Sequence, residues 1–216
     1  MKTNPSFGRK RFTPGAFTLV EMLTVMAVIA ILASLIIAVN GYVQRKAATA
    51  RAEGEIAAMS AAAESYKADN GTYPRIAATD TLNPKTHFKA SDAVYTNANL
   101  YFYKELSGDK VAGTTEGGEG TPDGKPETKP YFEFRRDMLR FSTDGKSVVV
   151  IQDPFGNAYG YSTAGAKAEE DFQNKLRTNP NETRPGSMPG FSSTFDLWST
   201  AGGLTVLDQP KWIKNW

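Results

Sequence analysis

The chain has 216 residues, 40% of them hydrophobic, and its 25 basic and 23 acidic residues give a formal net charge of +2. This length fits one domain, or a long helix followed by one modest domain. The near balance of charge argues against a nucleic-acid-binding surface. The chain has no cysteine and only one histidine. No carboxylate pair stands at a spacing diagnostic of catalysis, so the sequence does not predict an enzyme.

The first forty residues have the order of a membrane-targeting segment. Lys2, Arg9, Lys10 and Arg11 come first without an acidic residue, and about 23 mostly apolar residues follow, enough to span a bilayer. The basic leader is expected to stay in the cytoplasm, which places the rest of the chain on the other side of the membrane. A secretory signal has a shorter apolar stretch with a small-residue cleavage site after it. Here the small residues Gly15 and Ala16 precede the stretch, so cleavage would keep the helix.

One carboxylate, Glu21, lies just inside the apolar run, in the sequence AFTLVEML at residues 16–23. A charged group well inside the apolar phase costs about 2.5–3.5 kcal/mol, so such groups are usually paired and functional. An α-amine is the natural partner of this carboxylate. The alternative is that Glu21 reaches the lipid headgroups, helped by the positive end of a helix dipole.

Over residues 9–40 this order resembles the type IV prepilin-like family, which includes type IV pilins and type II secretion pseudopilins. The resemblance implies that a prepilin peptidase removes the leader, N-methylates Phe17 and leaves Glu21 as the fifth residue. Cleavage after Ala16 gives that register, although Ala16 replaces the usual Gly; cleavage after Gly15 would make Glu21 the sixth residue. The spacing favours the cut after Ala16. The Phe17 amine of one subunit would then pair with Glu21 of its neighbour and set their register.

A second helical pattern follows Asn40 and Gly41. Apolar residues recur there at spacings of three and four, which predicts one buried face; they are Ala52, Ile56, Met59, Ala63 and Tyr66. Asn70-Gly71, followed by Tyr73-Pro74, is a helix stop signal. The sequence therefore predicts one helix over 17–69, in which Gly41 is either a flexible point or a tolerated helix glycine.

The predicted domains are a cleaved leader at 1–16, a membrane and filament-core half-helix at 17–39, an amphipathic half at 40–70 and a periplasmic head at 71–216. Within the head, His87 is expected in a solvated loop, 100–106 in a short helix or strand, and 107–130 in a surface loop. Strands are predicted at 131–134, 138–141 and 147–151, with a turn at Asp144-Gly145. The fold class is α+β, a pilin-like lollipop whose long helix packs against a small antiparallel sheet with long loops.

Two head segments, 153–161 and 195–199, resemble those of the major pseudopilin of type II secretion. Their counterparts there read roughly Asp-Pro-Trp-Gly-Asn-Pro-Tyr and Tyr-Asp-Leu-Tyr-Ser. This chain has Phe155 for the Trp and Ala158 for the Pro, and a long polar stretch, 163–192, separates its two segments.

A calcium loop with several aspartates follows the second segment in the major pseudopilin. Here residues 199–204 offer no aspartate, and the next is Asp208. Hard cations need several oxygen ligands, usually including carboxylates. No metal or other cofactor is therefore expected. Asp196 and Asp208, with backbone carbonyls, are the weak calcium candidates.

The resemblance implies a structural subunit of a type II secretion pseudopilus, held in the inner membrane with its head in the periplasm and then built into a filament. Its partners would be other pseudopilins, the prepilin peptidase and N-methyltransferase, and the inner-membrane platform with its ATPase. One alternative is a type IV pilin or minor pilin serving adhesion, motility or DNA uptake. Another is an uncleaved, signal-anchored periplasmic binding domain.

Overall fold

The computed structural model describes residues 17–87, 92–109, 125–203 and 205–216, apart from the side chains of residues 36–40 and 206. The predicted leader, including Gly15 and Ala16, lies outside the described residues, as do residues 110–124 of the predicted surface loop. The chain divides into two compact units, Met1–Arg45 and Lys46–Trp216.

The long N-terminal helix is confirmed as α1, which runs over Leu19–Asn70. It ends where the sequence predicts, because Gly71 takes a φ of +79° that favours glycine, and its N–H donates to the carbonyl of Lys67 at 2.7 Å. Counted over the described residues, no helix is long and apolar enough to cross a membrane. The membrane role of residues 17–39 therefore stays a prediction.

Within its described residues, the second unit contains three further helices, two 3₁₀ turns and five short strands. The helices are α2 (Ala77–Thr81), α3 (Ala93–Ser107) and α4 (Ala164–Thr178), and the 3₁₀ turns are Arg136–Met138 and Val206–Lys211. The strands are β1 (Leu139–Phe141), β2 (Val148–Ile151), β3 (Gly160–Ser162), β4 (Asp196–Ser199) and β5 (Ile213–Lys214). This mixture confirms the α+β class.

The described strands form two antiparallel sheets rather than one. The predicted hairpin is confirmed as β1 with β2, in which Leu139 lies opposite Ile151. Its turn lies at the predicted position, where Gly145 has a φ of +70° and donates its N–H to the Ser142 carbonyl. The second sheet has the order β3-β4-β5. The chain therefore returns at β5 to complete a sheet that begins more than 50 residues earlier.

One strand predicted for the head is absent. Residues 131–134 do not form a strand, because the N–H groups of Tyr131 and Phe132 both donate to the Leu106 carbonyl at the end of α3. In the polar stretch 163–192, for which the sequence predicted no element, α4 occupies the first half. For residues 100–106, where the sequence left helix and strand open, the structure has helix.

The core of the second unit forms on the predicted face of α1. Ala52, Ile56, Met59 and Ala63 are all buried, and Tyr66 packs against the same cluster. Opposite them, the rings of Phe102 in α3 and Tyr161 in β3 stack with centroids 3.9 Å apart; residues of both sheets complete the cluster. Burying each large apolar side chain contributes about 1.5–3 kcal/mol, so this stripe is the main attachment of α1 to the head.

Candidate assembly site and buried polar groups

The first turn of α1 is closed by a reciprocal pair of bonds between Thr18 and Glu21. Glu21 Oε2 accepts hydrogen bonds from the Thr18 N–H and from Thr18 Oγ1, both at 2.8 Å. In return, the Glu21 N–H donates to Thr18 Oγ1 at 3.2 Å. This is a capping box, which satisfies orphan donors of a helix start. A threonine followed three residues later by a glutamate before an apolar run is its sequence signal, which sequence reasoning missed here.

Phe17 lies directly before the capping threonine and is 73% exposed. Phe17, the expected new N-terminus, and the carboxylate of Glu21 thus both lie at the start of α1. Glu21 Oε1 accepts no hydrogen bond from the described residues, so one oxygen of the carboxylate caps the helix while the other is open. The processing residues Gly15 and Ala16 lie outside the described residues.

The first unit carries an apolar surface on every side of its helix. Each large apolar side chain between Leu19 and Leu35 is exposed, from 49% for Met22 to 79% for Leu19. The hydroxyls of this stretch bond to the helix itself, Thr24 to the Glu21 carbonyl at 2.9 Å and Ser34 to the Ile31 carbonyl at 2.7 Å. A helix that is apolar on all sides is stable when lipid or the apolar surfaces of other helices surround it. The hydroxyls of Thr24 and Ser34 are already satisfied for such surroundings.

In the second unit, a buried carboxylate of α1 collects donors from three parts of the chain. Glu55 is 5% exposed, and its Oε1 accepts from Arg51 at 2.9 Å and from Arg135. Its Oε2 accepts a 2.7 Å hydrogen bond from the phenol of Tyr159. Both arginines also pair with Asp137. A buried charge is tolerated when it is paired and hydrogen-bonded in this way.

Burial and the bond to Glu55 raise the pKa of Tyr159, so the phenol stays protonated and keeps donating. A second link comes from Asn99 of α3, which is also buried. Its amide nitrogen donates to the carbonyls of Ile151 and Tyr159 at 3.1 and 2.7 Å, and its oxygen accepts from the Ile151 N–H at 2.7 Å. Together these bonds fix the segment between β2 and β3 onto two helices.

The two segments that resemble the major pseudopilin are brought together. β3 pairs with β4, so that Gly160 lies opposite Trp198. Asp153 accepts from the N–H groups of Phe155 and Asn157 at 3.0 and 2.8 Å, and from the Ser199 hydroxyl. A carboxylate that accepts successive backbone donors shapes a tight turn. Asp153 therefore holds its own loop and joins it to the end of β4.

The weak calcium candidates have separate partners. Asp196 is buried and accepts from the N–H groups of Phe191 and Ser192, both at 2.8 Å. Asp208 accepts from the Thr205 hydroxyl at 2.6 Å and lies near Lys211. In the part of the chain that the structure describes, no three or more acidic, histidine or cysteine side chains form a cluster that could hold a metal.

The single histidine, His87, lies in a loop, but it is half-buried rather than solvated. Its Nδ1 accepts a hydrogen bond from the Asn83 N–H at 3.2 Å. The ring thus helps to close the turn at 83–87.

Comparisons of the chain with family models, with curated proteins and with solved structures found no match. The likeness to prepilins thus stands on the sequence segments named above.

Proposed function

We propose that the chain is a structural subunit of a type II secretion pseudopilus. In this proposal the peptidase cuts after Ala16 and methylates Phe17, and the helix at 17–39 waits in the inner membrane before it enters the filament core. The head, residues 71–216, lies in the periplasm. The assembled filament helps to export folded proteins.

The observation that carries the proposal is the exposed apolar surface of α1 between Leu19 and Leu35. In water this surface would drive association, because burying apolar area is the main favourable term in assembly. The hydroxyls along it are bonded within the helix, which suits lipid first and neighbouring helices later. A helix that only anchors a domain in the membrane would need the same apolar surface. Glu21 is therefore the residue that distinguishes a filament subunit from a membrane-anchored domain.

Glu21 supports assembly because only one of its oxygens is used by the helix. Oε2 accepts both bonds from Thr18, while Oε1 remains for a cationic amine. A bond between an ammonium and a carboxylate is roughly twice as strong as a neutral hydrogen bond. The N-methylated Phe17 amine of a neighbouring subunit would provide this cation. Capping and pairing are therefore compatible in one residue.

The head supports the secretion role over a type IV pilin or minor pilin. Segments 153–161 and 195–199 are the parts that resemble the major pseudopilin, and they pair through β3 and β4. Asp153, the first residue of one segment, bonds Ser199, the last residue of the other. This connection gives the resemblance a shared structural role rather than two unrelated short matches.

The test is mass spectrometry of the N-terminal peptide of the chain recovered from its native membranes. The proposal expects a chain that begins at N-methylated Phe17. A chain that begins at Ala16 would shift the register by one residue, and an intact Met1 terminus would support the signal-anchored domain instead. Loss of the chain should then stop export of folded proteins; loss of adhesion or motility alone would support the pilin alternative.

A further inference from the structure

The chain contains two tripeptides of the form Asn-X-Thr, Asn70-Gly71-Thr72 and Asn181-Glu182-Thr183. This pattern, with X other than proline, is the acceptor for N-linked glycans on surface loops of exported proteins. All four asparagine and threonine residues are exposed. Exposure therefore does not show which asparagine is available for modification. The hydrogen bonds of the two tripeptides do show it.

The first tripeptide is tied into the fold. Asn70 is the last residue of α1, and its amide nitrogen donates to the Tyr66 carbonyl at 2.9 Å and to the Tyr131 phenol at 3.1 Å. The Thr72 hydroxyl donates to the Tyr73 carbonyl at 3.0 Å. The nitrogen that a transferase would use is thus already engaged in two bonds.

The second tripeptide leaves its reactive groups open. Asn181 lies in a turn just after α4, and neither its amide nor the Thr183 hydroxyl has a partner within the described ranges. The backbone around it is nevertheless held. The side-chain oxygen of Asn179 accepts a hydrogen bond from the Asn181 N–H at 3.3 Å. The backbone carbonyl of Asn179 accepts one from the Glu182 N–H at 3.0 Å.

The other side of the turn is anchored to α4. Arg184 pairs with Glu169 at 2.8 Å, and its guanidinium lies 4.8 Å from the centre of the Phe172 ring. The acceptor asparagine therefore stands on a loop fixed at both ends, with its own side chain free to enter an active site.

We propose that Asn181 is an acceptor for an N-linked oligosaccharide and that Asn70 is not. In the transfer, Asn181 Nδ2 forms a bond to C1 of the first sugar of a polyisoprenyl-pyrophosphate-linked oligosaccharide. The bond from C1 to the phosphate oxygen breaks, the lipid pyrophosphate leaves with the electron pair, and Nδ2 gives up one proton to a base of the transferase. No oxidation or reduction is involved. The proposal rests on the proposed function in one respect, because a transferase of this kind acts on segments that have crossed its membrane, as the head does in that function.

The site also gives a role to residues 163–192, the stretch that the pseudopilin segments do not account for. Asn181 lies within it, and α4 supplies the anchor for its turn. A glycan is bulky and solubilising, so this stretch would present it to solvent.

The experiment uses the full chain in detergent micelles, a purified oligosaccharyltransferase that recognises Asn-X-Thr, and its lipid-linked oligosaccharide. Enzymatic release of the glycan in heavy-oxygen water labels each occupied asparagine, and trypsin separates the two sites into peptides 178–211 and 68–75, since Pro185 blocks cleavage after Arg184. Because Asn70 must first lose two hydrogen bonds, occupancy at Asn181 should exceed that at Asn70 on the order of tenfold or more. The same peptides, freed from the fold, should both be modified.

The matched variants are Asn181→Gln and Thr183→Ala, which should abolish the label, and Asn70→Gln, which should leave it unchanged. An unmodified Asn181 in the folded chain overturns the proposal, as does an unmodified peptide 178–211 or equal occupancy at both sites. The N-terminal peptide of the native chain is read separately. An uncut terminus with an occupied Asn181 would count against the pseudopilin role alone, whereas methylated Phe17 with a bare Asn181 in this reaction would count against the glycan site alone.

Discussion

The phenol of Tyr159 donates a 2.7 Å hydrogen bond to Glu55, and this bond joins two residues that lie 104 positions apart. Both side chains are buried. The bond connects α1 with Tyr159, the residue just before β3. Strand β3 in turn pairs with β4. The bond therefore links the long helix directly to the segment that resembles pseudopilins.

Replacement Tyr159→Phe should lower the free energy of unfolding of the second unit by about 2 kcal/mol, since a hydrogen bond to a charged group is worth about 1.5–3 kcal/mol. Urea denaturation followed by tryptophan fluorescence measures this change. The matched control is Tyr42→Phe, because Tyr42 is 70% exposed on the first unit. Equal stability of the Tyr159 variant and the unmodified chain would contradict the assigned role of Glu55.

Two glycines should respond to alanine with opposite signs. At Gly160 an added Cβ would lie 2.1 Å from an indole carbon of Trp198, so Gly160→Ala should destabilise the head by about 1–3 kcal/mol through overpacking. At Gly54, in the middle of α1, a Cβ meets nothing within 4 Å, and Gly54→Ala should stabilise the helix by about 0.5–1 kcal/mol. Thermal unfolding of both variants checks the pair, and a shift of the same sign in both would overturn this packing argument.

The stability of the head should depend on pH through Asp153. Burial raises the pKa of this carboxyl above its ordinary value of 3.8, although hydrogen bonds from Ser199 and from the backbone lower it. The folded state therefore holds the proton more tightly than the unfolded state does. The contribution of Asp153 is fully present below the unfolded pKa and is lost as the pH rises through the folded pKa.

Asp153→Asn keeps acceptors for the backbone donors and removes the ionisation. Its stability relative to the unmodified chain, measured as the difference in free energy of unfolding, should rise as the pH increases above 3.8, the ordinary pKa of this carboxyl. Asp144→Asn is the control of opposite sign, because hydrogen bonds from Ser142 and the Lys146 N–H lower the pKa of Asp144. A difference that falls with pH in the Asp153 variant would refute the sign derived for it.

Replacement of Glu21 separates capping from pairing. Glu21→Gln keeps an oxygen for the capping box, in which glutamine serves as well as glutamate, but it removes the charge. If the charge sets subunit register, both Glu21→Gln and Glu21→Ala insert normally and fail to form filaments, which electron microscopy and shearing assays report. Thr18→Val is the matched variant that removes the cap and keeps the charge. Normal filaments from Glu21→Gln would instead assign the residue to capping.

Local patterns in the sequence were enough to predict α1 and its buried face. Ala52, Ile56, Met59 and Ala63 recur at helical spacing, and that period alone tells which side is covered. The hairpin of β1 and β2 was equally readable, since its strands are close in sequence and Gly145 marks the turn. The helix stop at Asn70 and Gly71 belongs to the same class of short-range signals.

The remaining features depend on contacts between distant residues or on very weak patterns. The partners of Glu55 lie 80 and 104 positions away at Arg135 and Tyr159, and no period in the sequence relates them. α4 has apolar residues at a spacing of four, Ala164, Ala168, Phe172 and Leu176, a helical signal that was missed within the polar stretch. β5 has two residues, which is too short for an alternation. At Glu21, the apolar surroundings pointed to pairing, although Thr18 three residues earlier already marked a cap.

The parallel indole rings of Trp198 and Trp212, with centroids 5.9 Å apart and planes inclined by 5°, make the head its own optical probe. The three tryptophans of the chain, at positions 198, 212 and 216, all belong to the second unit. Indole fluorescence and the tryptophan bands of near-ultraviolet circular dichroism therefore report on the head alone, whereas the far-ultraviolet signal also contains the apolar helix. Heating the chain and comparing the two signals would show whether the helix of the first unit outlasts the head, without any label or truncation.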